Sequence, residues 1–572
     1  MSYDLLEEQW IPVRTASGAR KFIAPWQIVD AADPPIDIDT GRPDFDCAGI
    51  QFLIGLLQTA WTPPTEDLWR KFHDLPPTQE QLRQLLQPLR GKFDLLGEGP
   101  RFMQDQSLAG IDLGAGKAAS IKPLPGEKRK KSASLSLKPV AGLLIDGPGE
   151  STLNGNKDHF VKRFGNVCVS RPGAAWLLLA LQTSSPSGGV GHRTSLRGGG
   201  PLTTWILGKN LWSTAWRNVL DTETWNHVPG GLPDGLEADS MPWLGPVRVS
   251  TDEGSQTQPA HCARLHHYWG MPRRLWLADL LTEGECAVLP GQSGPFVSSV
   301  NTANYGFDYK GAYQHPLTPY RLDGPGAEPA PIKGNRSALS YDQWPALILG
   351  VASDGGRSKT PALVVRRWRQ LDGVPAAPVA VAGYDMDNMK PLAWCHAQMP
   401  VLSHAKDREE GMRAGAIALV GVAEYVAGQF GLAARGSAVR EGDQRFKTFF
   451  QKDEAARLRD RFWSATEPGF YEVLGQLGDA IEAGHEVATD SEQVKLRKWW
   501  CSDLHSHAMR LFDEASQLLG NWEAGDVRRI AEARKWLFWN TKPDSDRMLE
   551  KVGLKTSDPD KKSKGKSAKA NS

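Results

Sequence analysis

The stretch SPSGGVGHRTSLRGGGPLTTW, Ser185–Trp205, places six glycines within thirteen residues, Gly188 to Gly200, with Arg193 and Arg197 among them. Glycine in a helix or strand interior is unfavourable by roughly 0.5–1 kcal/mol relative to alanine, so this density predicts a loop kept for its backbone. Two familiar phosphate cradles are absent. GxxxxGK[ST] does not occur, and GGVGHR lacks the third glycine of GxGxxG before a helix. What remains is a run of backbone amides available at close range, flanked by His192, Arg193 and Arg197. Such a surface suits a narrow cleft like the DNA minor groove, where bulky side chains are excluded and sequence is read coarsely. A plain surface turn has the same composition.

Outward from this loop, the chain up to about residue 395 is mixed in character. PALILGVAS (Pro345–Ser353) and PVAVAGY (Pro378–Tyr384) read as strands between Pro/Gly-rich turns. DCAGIQFLIGLLQTAW (Asp46–Trp61) and PGAAWLLLALQT (Pro172–Thr183) carry helical spacing. Beyond about residue 405 glycine and proline thin out, and helical periodicity runs over 408–434, 453–484, 491–519 and 523–540. In the third of these, Trp500, Leu504, Leu511 and Leu518 share one face. The expected architecture is therefore a large mixed α/β (α+β) domain over 1–395, an all-α four-helix bundle over 400–545, and a disordered basic tail over 546–572.

At 572 residues, with 21 tryptophans, the chain can bury more than one core. Its 67 basic and 66 acidic residues nearly cancel, so net charge does not announce a nucleic-acid binder and local patches must carry that reading. The six cysteines are scattered without a CxxC pair, which predicts reduced thiols and no cysteine zinc site. The acidic N-terminus MSYDLLEEQWIPV has no signal-peptide pattern. The longest apolar run, AGAIALVGVA (Ala414–Ala423), is half the roughly 20 residues that span a bilayer. A soluble, cytoplasmic protein without membrane attachment is expected.

Two further segments bear on function. KPLPGEKRKKSASLSLKP (Lys122–Pro139) holds Lys122, Lys128, Arg129, Lys130, Lys131 and Lys138 against one glutamate. It is either a solvated loop or a phosphate-contacting segment free to follow a backbone. GYDMDNMKP (Gly383–Pro391) places Asp387, Asn388, Met389 and Lys390 in a turn after a strand. Asp and Asn are ordinary turn formers. Equally, Asn bonds to base edges, Met wedges between bases and Lys holds a phosphate. Catalytic patterns are weak. His73-Asp74 and the HxH of DLHSH (Asp503–His507) are the best metal-nuclease candidates, Cys262 beside His261 is only a sequence neighbour, and neither HExxH nor GxSxG occurs. No cofactor, metal or catalytic residue is predicted.

Taken in order, YDLLEEQWIPV (Tyr3–Val13), GPRFMQ (Gly99–Gln104), NKDHF (Asn156–Phe160), GHRTSLRGGGPLTTWILGKNLWSTAWRNVL (Gly191–Leu220), YWGMPRRLWL (Tyr268–Leu277), YGFDYKGAYQHPLTPY (Tyr305–Tyr320) and GYDMDNMK resemble the large subunit of type I-E CRISPR Cascade complexes, the CasA type. The resemblance implies a subunit without catalytic activity, held with other Cascade subunits and crRNA. Such a subunit reads the protospacer-adjacent motif of invading double-stranded DNA from the minor groove, starts strand separation and helps recruit the helicase-nuclease. It would make Gly188, Gly189 and Gly191, with His192 and Arg193, the minor-groove loop. Asp387 to Lys390 would be the wedge hairpin, with Asn388 or Met389 at its tip. Asn304 stands where some members have a lysine finger, with Lys310 nearby. The basic loop would lie near the crRNA 5′ handle. Cys286 in CAVLPG lacks the neighbours of the zinc knuckle found in some members. An assembly and recruitment scaffold with little direct DNA reading, and a metal-dependent nuclease, are the alternatives.

Overall fold

Helix Pro43–Ala60 begins with proline at its first position and Asp44 and Asp46 in its first turn, both favourable at the positive end of a helix. It is buried almost all round, as a helix at the centre of a core must be. The computed structural model describes residues 2–554 except 112–117, 122–132, 150–151, 153–154, 156, 158–166, 187, 253, 336–338, 354, 388–389, 403–407, 436–451, 485–490 and 518–523. The chain forms two units, one of Met1–Arg336 with Ala352–Pro400, the other of Ser337–Val351 with Val401–Ser572.

In the first unit, helix Arg171–Ser184 packs on Pro43–Ala60 and is capped by the Ser170 hydroxyl, which accepts the Gly173 N–H at 3.2 Å. Much of the tryptophan content is gathered here. Trp10 meets Trp176 at 4.9 Å between ring centroids, and Phe52 meets Trp10 and Trp269 edge-on at 5.2 and 5.9 Å. Around this core lie small sheets. Ile11–Thr15 pairs with Arg20–Ile23 and Pro35–Ile38. Phe296–Ala303 pairs antiparallel with Arg274–Leu281, Ala133–Pro139 and Val169–Ser170, and Ala118–Ile121 extends that sheet. Tyr320–Leu322 pairs with Ala330–Pro331 and Arg357–Thr360. A long hairpin, Ala377–Asp387 and Lys390–Val401, is joined by two residues, and its first strand pairs with Thr203–Ile206.

The second unit is built on helices Glu409–Ala434, Lys452–Glu482, Ser491–Gln517 and Ala524–Thr541. Trp500, Leu504 and Leu511 are buried as their spacing predicts, and the Trp500 indole donates to the Leu419 carbonyl at 3.0 Å; Leu518 lies outside the described residues. Tyr341 belongs to this core as well, stacked on Phe470 at 4.4 Å, its hydroxyl 2.8 Å from that of Thr466. Two expectations change. Pro345–Leu349, read as the start of a strand, is a turn of π-helix, and only Val351–Ser353 is extended. Residues 546–551, assigned to the tail, carry a helix capped by Ser545, with Met548, Leu549 and Val552 buried. Helix Glu409–Ala434 is also longer than its ten-residue apolar run. By length and composition alone it could cross a membrane, but half of its most apolar window is buried within the protein.

Candidate nucleic-acid interface

The glycine-rich segment opens with a tight bend, in which the His192 N–H donates to the Gly189 carbonyl at 3.2 Å. Gly189 and Gly191 have φ of 87° and 75°, where an L side chain is strained by roughly 1–2 kcal/mol. A Cβ on Gly188 would lie 2.7 Å from His192 Cβ and 2.8 Å from Arg273 Nη1, and one on Gly191 would lie 2.8 Å from Asn304 Cβ and 3.0 Å from the Tyr305 ring. The protein itself therefore fills the space that these two glycines vacate. Gly189 differs, because a Cβ there meets nothing within 4 Å. With Val190 beside it 77% exposed, Gly189 is the point where the loop offers bare backbone outward.

What holds this bend comes from the five-stranded sheet and the segment after it. Asn304 donates through Nδ2 to the Val190 carbonyl at 2.8 Å, and the Tyr305 N–H donates to the Gly191 carbonyl at 2.7 Å. Arg193 turns inward. It donates to the Ser250 hydroxyl and carbonyl at 2.9 and 2.8 Å and pairs with Asp308 at 3.1 Å. Lys310, whose side chain is 62% exposed, sits 3.7 Å from the same Asp308. Asn304 is thus a clamp on the loop, and Lys310 is the more exposed cation near it.

Two residues that sequence reading missed complete the support. Side chains of extended backbone alternate in direction, and Arg273, just before the strand Arg274–Leu281, and Arg274, its first residue, point to different partners. Arg273 donates to the Pro186 carbonyl beneath the loop, and burial pushes its guanidinium down to about 10. Arg274 pairs with buried Asp105 at 2.6 Å and reaches the Ser107 hydroxyl at 3.1 Å and the Asn304 carbonyl at 3.4 Å. The doubled arginine of MPRR was the only sequence signal for either.

His192, half-buried, is pushed down to about 4 by burial first and then by the nearby charges of Arg273 and Lys138. It is neutral at neutral pH and is no phosphate-binding cation. Because the fold holds the neutral ring, stability is lost as pH falls below the ordinary value of about 6.5, and the loss levels off near 4. A histidine-resolved NMR titration is expected to show no His192 transition between about pH 5.5 and 8; a midpoint near 6.5 would contradict this placement.

The far end of the same segment reaches the hairpin. A Cβ on Gly200 would lie 2.6 Å from the Tyr384 carbonyl, and Thr203–Ile206 continues into register with the hairpin, Thr203 opposite Ala382 and Ile206 opposite Val379. Arg197 is buried between the ends, donating to Thr203, Thr318 and Gln51. The hairpin is anchored by the Tyr384 hydroxyl, which donates to Asp44 at 2.7 Å, and by Tyr384 meeting Trp394 edge-on at 4.8 Å. Asp387 and Lys390 end the two strands, both exposed; Asn388 and Met389 lie outside the described residues. One continuous segment therefore joins the loop to the hairpin strand.

Of the basic stretch, Lys138 lies on Ala133–Pro139 opposite Val300, while Lys122, Lys128, Arg129, Lys130 and Lys131 lie outside the described residues. Cys286 is not isolated in space, since it forms a β-bridge with Cys168, and both thiols are buried. His505 bonds to the Thr541 hydroxyl at 2.8 Å, and His507 sits 3.5 Å from Asp503. Among the described residues no three His, Cys, Asp or Glu side chains gather as a metal site.

Comparison with known proteins gives a consistent result. Thermus thermophilus CasA is similar at a TM-score of 0.64 and 18% identity, over 94% of this chain and 99% of its own. Thermobifida fusca Cse1 is similar at 0.65 and 17%, over 97% and 99%. A chain of a CRISPR RNA-guided surveillance complex is similar at 0.60 and 15%, over 94% and 99%. Identities this low speak to fold alone. The sequence profile described as CRISPR-associated protein Cse1 runs from residue 4 to residue 511, through the loop, the hairpin and most of the helices, and the chain belongs to that family.

Proposed function

We propose that this chain is the large, non-catalytic subunit of a cytoplasmic type I-E Cascade complex, and that it reads the protospacer-adjacent motif of double-stranded DNA. The observation that carries the reading is the continuity of one segment, clamped at Val190 by Asn304 and at Gly191 by Tyr305, and paired at Thr203–Ile206 with the hairpin. A loop entering the minor groove and a hairpin splitting the adjacent base pairs must keep a fixed spacing, and a shared strand supplies it.

Mechanistically, lysines and arginines of the assembled complex first hold DNA without sequence preference. Backbone at Gly189 then accepts only a groove floor free of protruding exocyclic groups. The tip at Asn388 and Met389 next separates the first base pairs, at a few kcal/mol of unstacking per step, offset by the pairing of crRNA with target that follows. Chemistry on the DNA is left to the recruited helicase-nuclease.

A second reading, assembly and recruitment scaffold, is favoured by the exposed Trp499 and Trp539 of the helical unit, 45% and 58% accessible. Aromatic side chains of this kind are enriched where proteins dock. The two readings part in one experiment. Complexes reconstituted with and without the chain are presented with duplexes randomised beside the target, and affinity is read motif by motif over a salt series. Motif preference present only with the chain, and affinity that falls with salt, is the expected result. Equal affinity for every flank would leave the scaffold reading.

A further inference from the structure

Apart from the glycine-rich loop, the first unit holds a cavity of about 260 Å³ where helix Leu363–Gln370 begins, lined also by the Gln314–Leu322 segment and by Thr360 and Pro361. The charged part of its lining has one sign. Arg321 and Arg366 contribute to it, and no aspartate or glutamate does. Arg321 shares its guanidinium with Asp323 at 3.0 Å, whereas Arg366 has no carboxylate partner among the described residues. The helix starts at Ala362 without a side-chain cap, but the Pro316 carbonyl accepts the Val364 N–H at 3.3 Å and the Ala362 carbonyl accepts those of Val365 and Arg366, so the arginines rather than the helix start supply the positive charge at the cavity.

Three inner groups have their acceptor side already filled. His315, 1% exposed, accepts the Leu317 N–H on Nδ1 at 3.1 Å, and burial holds its imidazole well below the usual histidine range. The neutral ring therefore carries its proton on Nε2, which has no hydrogen-bond partner; the His267 carbonyl, which bears on the ring, does not reach hydrogen-bond geometry. Thr318, also 1% exposed, accepts from Arg197 at 3.1 Å. The Tyr320 oxygen accepts the His315 N–H at 2.7 Å. Both hydroxyl hydrogens are left to donate. Two arginines, an imidazole N–H and two hydroxyls give the lining an excess of donors beside the polar side chains of His227, Gln314 and Thr360. A buried donor without an acceptor costs roughly 1–3 kcal/mol, so this set is matched by an anion with several acceptor oxygens.

We propose that this cavity binds a phosphate group, either inorganic phosphate or that of a mononucleotide. Its volume exceeds what one phosphate fills and approaches the roughly 300 Å³ at which small-molecule sites begin.

The test is calorimetric titration of the full chain with inorganic phosphate, with adenosine monophosphate and with adenosine. Phosphate and the monophosphate are expected to bind with Kd at or below about 1 mM, and adenosine not to bind. Arg366→Gln, at an exposed residue whose loss leaves no buried charge, is expected to weaken both by about tenfold or more. Monophosphate binding tighter than phosphate assigns the remaining space to a nucleoside; equal affinities assign the site to phosphate alone. No binding of either, or binding unchanged in Arg366→Gln and Arg321→Gln, overturns the proposal.

Discussion

Gly189→Asp, placed in a reconstituted complex, is expected to abolish motif preference while leaving assembly intact. The substitution isolates recognition from folding. Aspartate tolerates the left-handed region better than most residues, and a Cβ at this position meets nothing within 4 Å, so the bend survives. What changes is the outward surface, which gains a side chain where the groove must approach and a negative charge facing phosphates. Affinity for a motif-bearing duplex should fall on the order of tenfold to a hundredfold. Gly198→Asp is the control, since Gly198 has the same sign of φ and the same open space and should behave as wild type. Gly191→Ala would be a poorer probe, because its Cβ collides with Asn304 and Tyr305 and disturbs the bend itself. If the aspartate variant keeps its preference, the loop does not face the duplex.

Arg274→Ala should have the largest effect on stability. Arg274 and Asp105 are 6% and 2% exposed and 2.6 Å apart. Removing the cation strands a buried carboxylate, a change that destabilises by about 3–5 kcal/mol, and denaturant unfolding followed by tryptophan fluorescence would register it as a lowered midpoint. The double substitution Arg274→Met with Asp105→Leu should regain most of the loss, since apolar packing often replaces a buried pair without penalty. Arg274 also reaches the Asn304 carbonyl, so the single variant should loosen the loop before the protein unfolds. A loss below about 1 kcal/mol would mean that the pair is not the anchor its burial implies.

The long helices were legible because their apolar residues recur at helical spacing for several turns; the reading 408–434 became Glu409–Ala434. PALIL was not, since five apolar residues fit a strand or a helical turn equally. The proline at its start, and the burial of Tyr341 and Trp344 among helices, decided for the turn. The glycine-rich loop was visible as a loop, but the reasons for its glycines were not. Beyond the nearby His192, Arg273 occupies the space at Gly188, Asn304 and Tyr305 that at Gly191, and the Tyr384 carbonyl that at Gly200. Arg273, Asn304, Tyr305 and Tyr384 all lie far along the chain from the glycines they exclude from substitution. Nor could spacing show that Arg193 would turn its charge onto Asp308, or that Cys168 would lie opposite Cys286.

Helix Glu409–Ala434 carries a consequence for how the protein is made. Its apolar face is covered by Lys452–Glu482, Ser491–Gln517 and Ala524–Thr541, all of which leave the ribosome after it. At about 5–20 residues per second, the gap between the end of this helix and the end of the last lasts on the order of ten seconds. During that time a segment apolar enough for a bilayer is exposed to chaperones, to insertion machinery and to other nascent chains. Among the described residues, Tyr341–Gln343 and Pro345–Leu349, which pack on the same helix, have already emerged. The early placing of Ser337–Val351 in the chain thus gives the helix a first cover before its permanent neighbours exist.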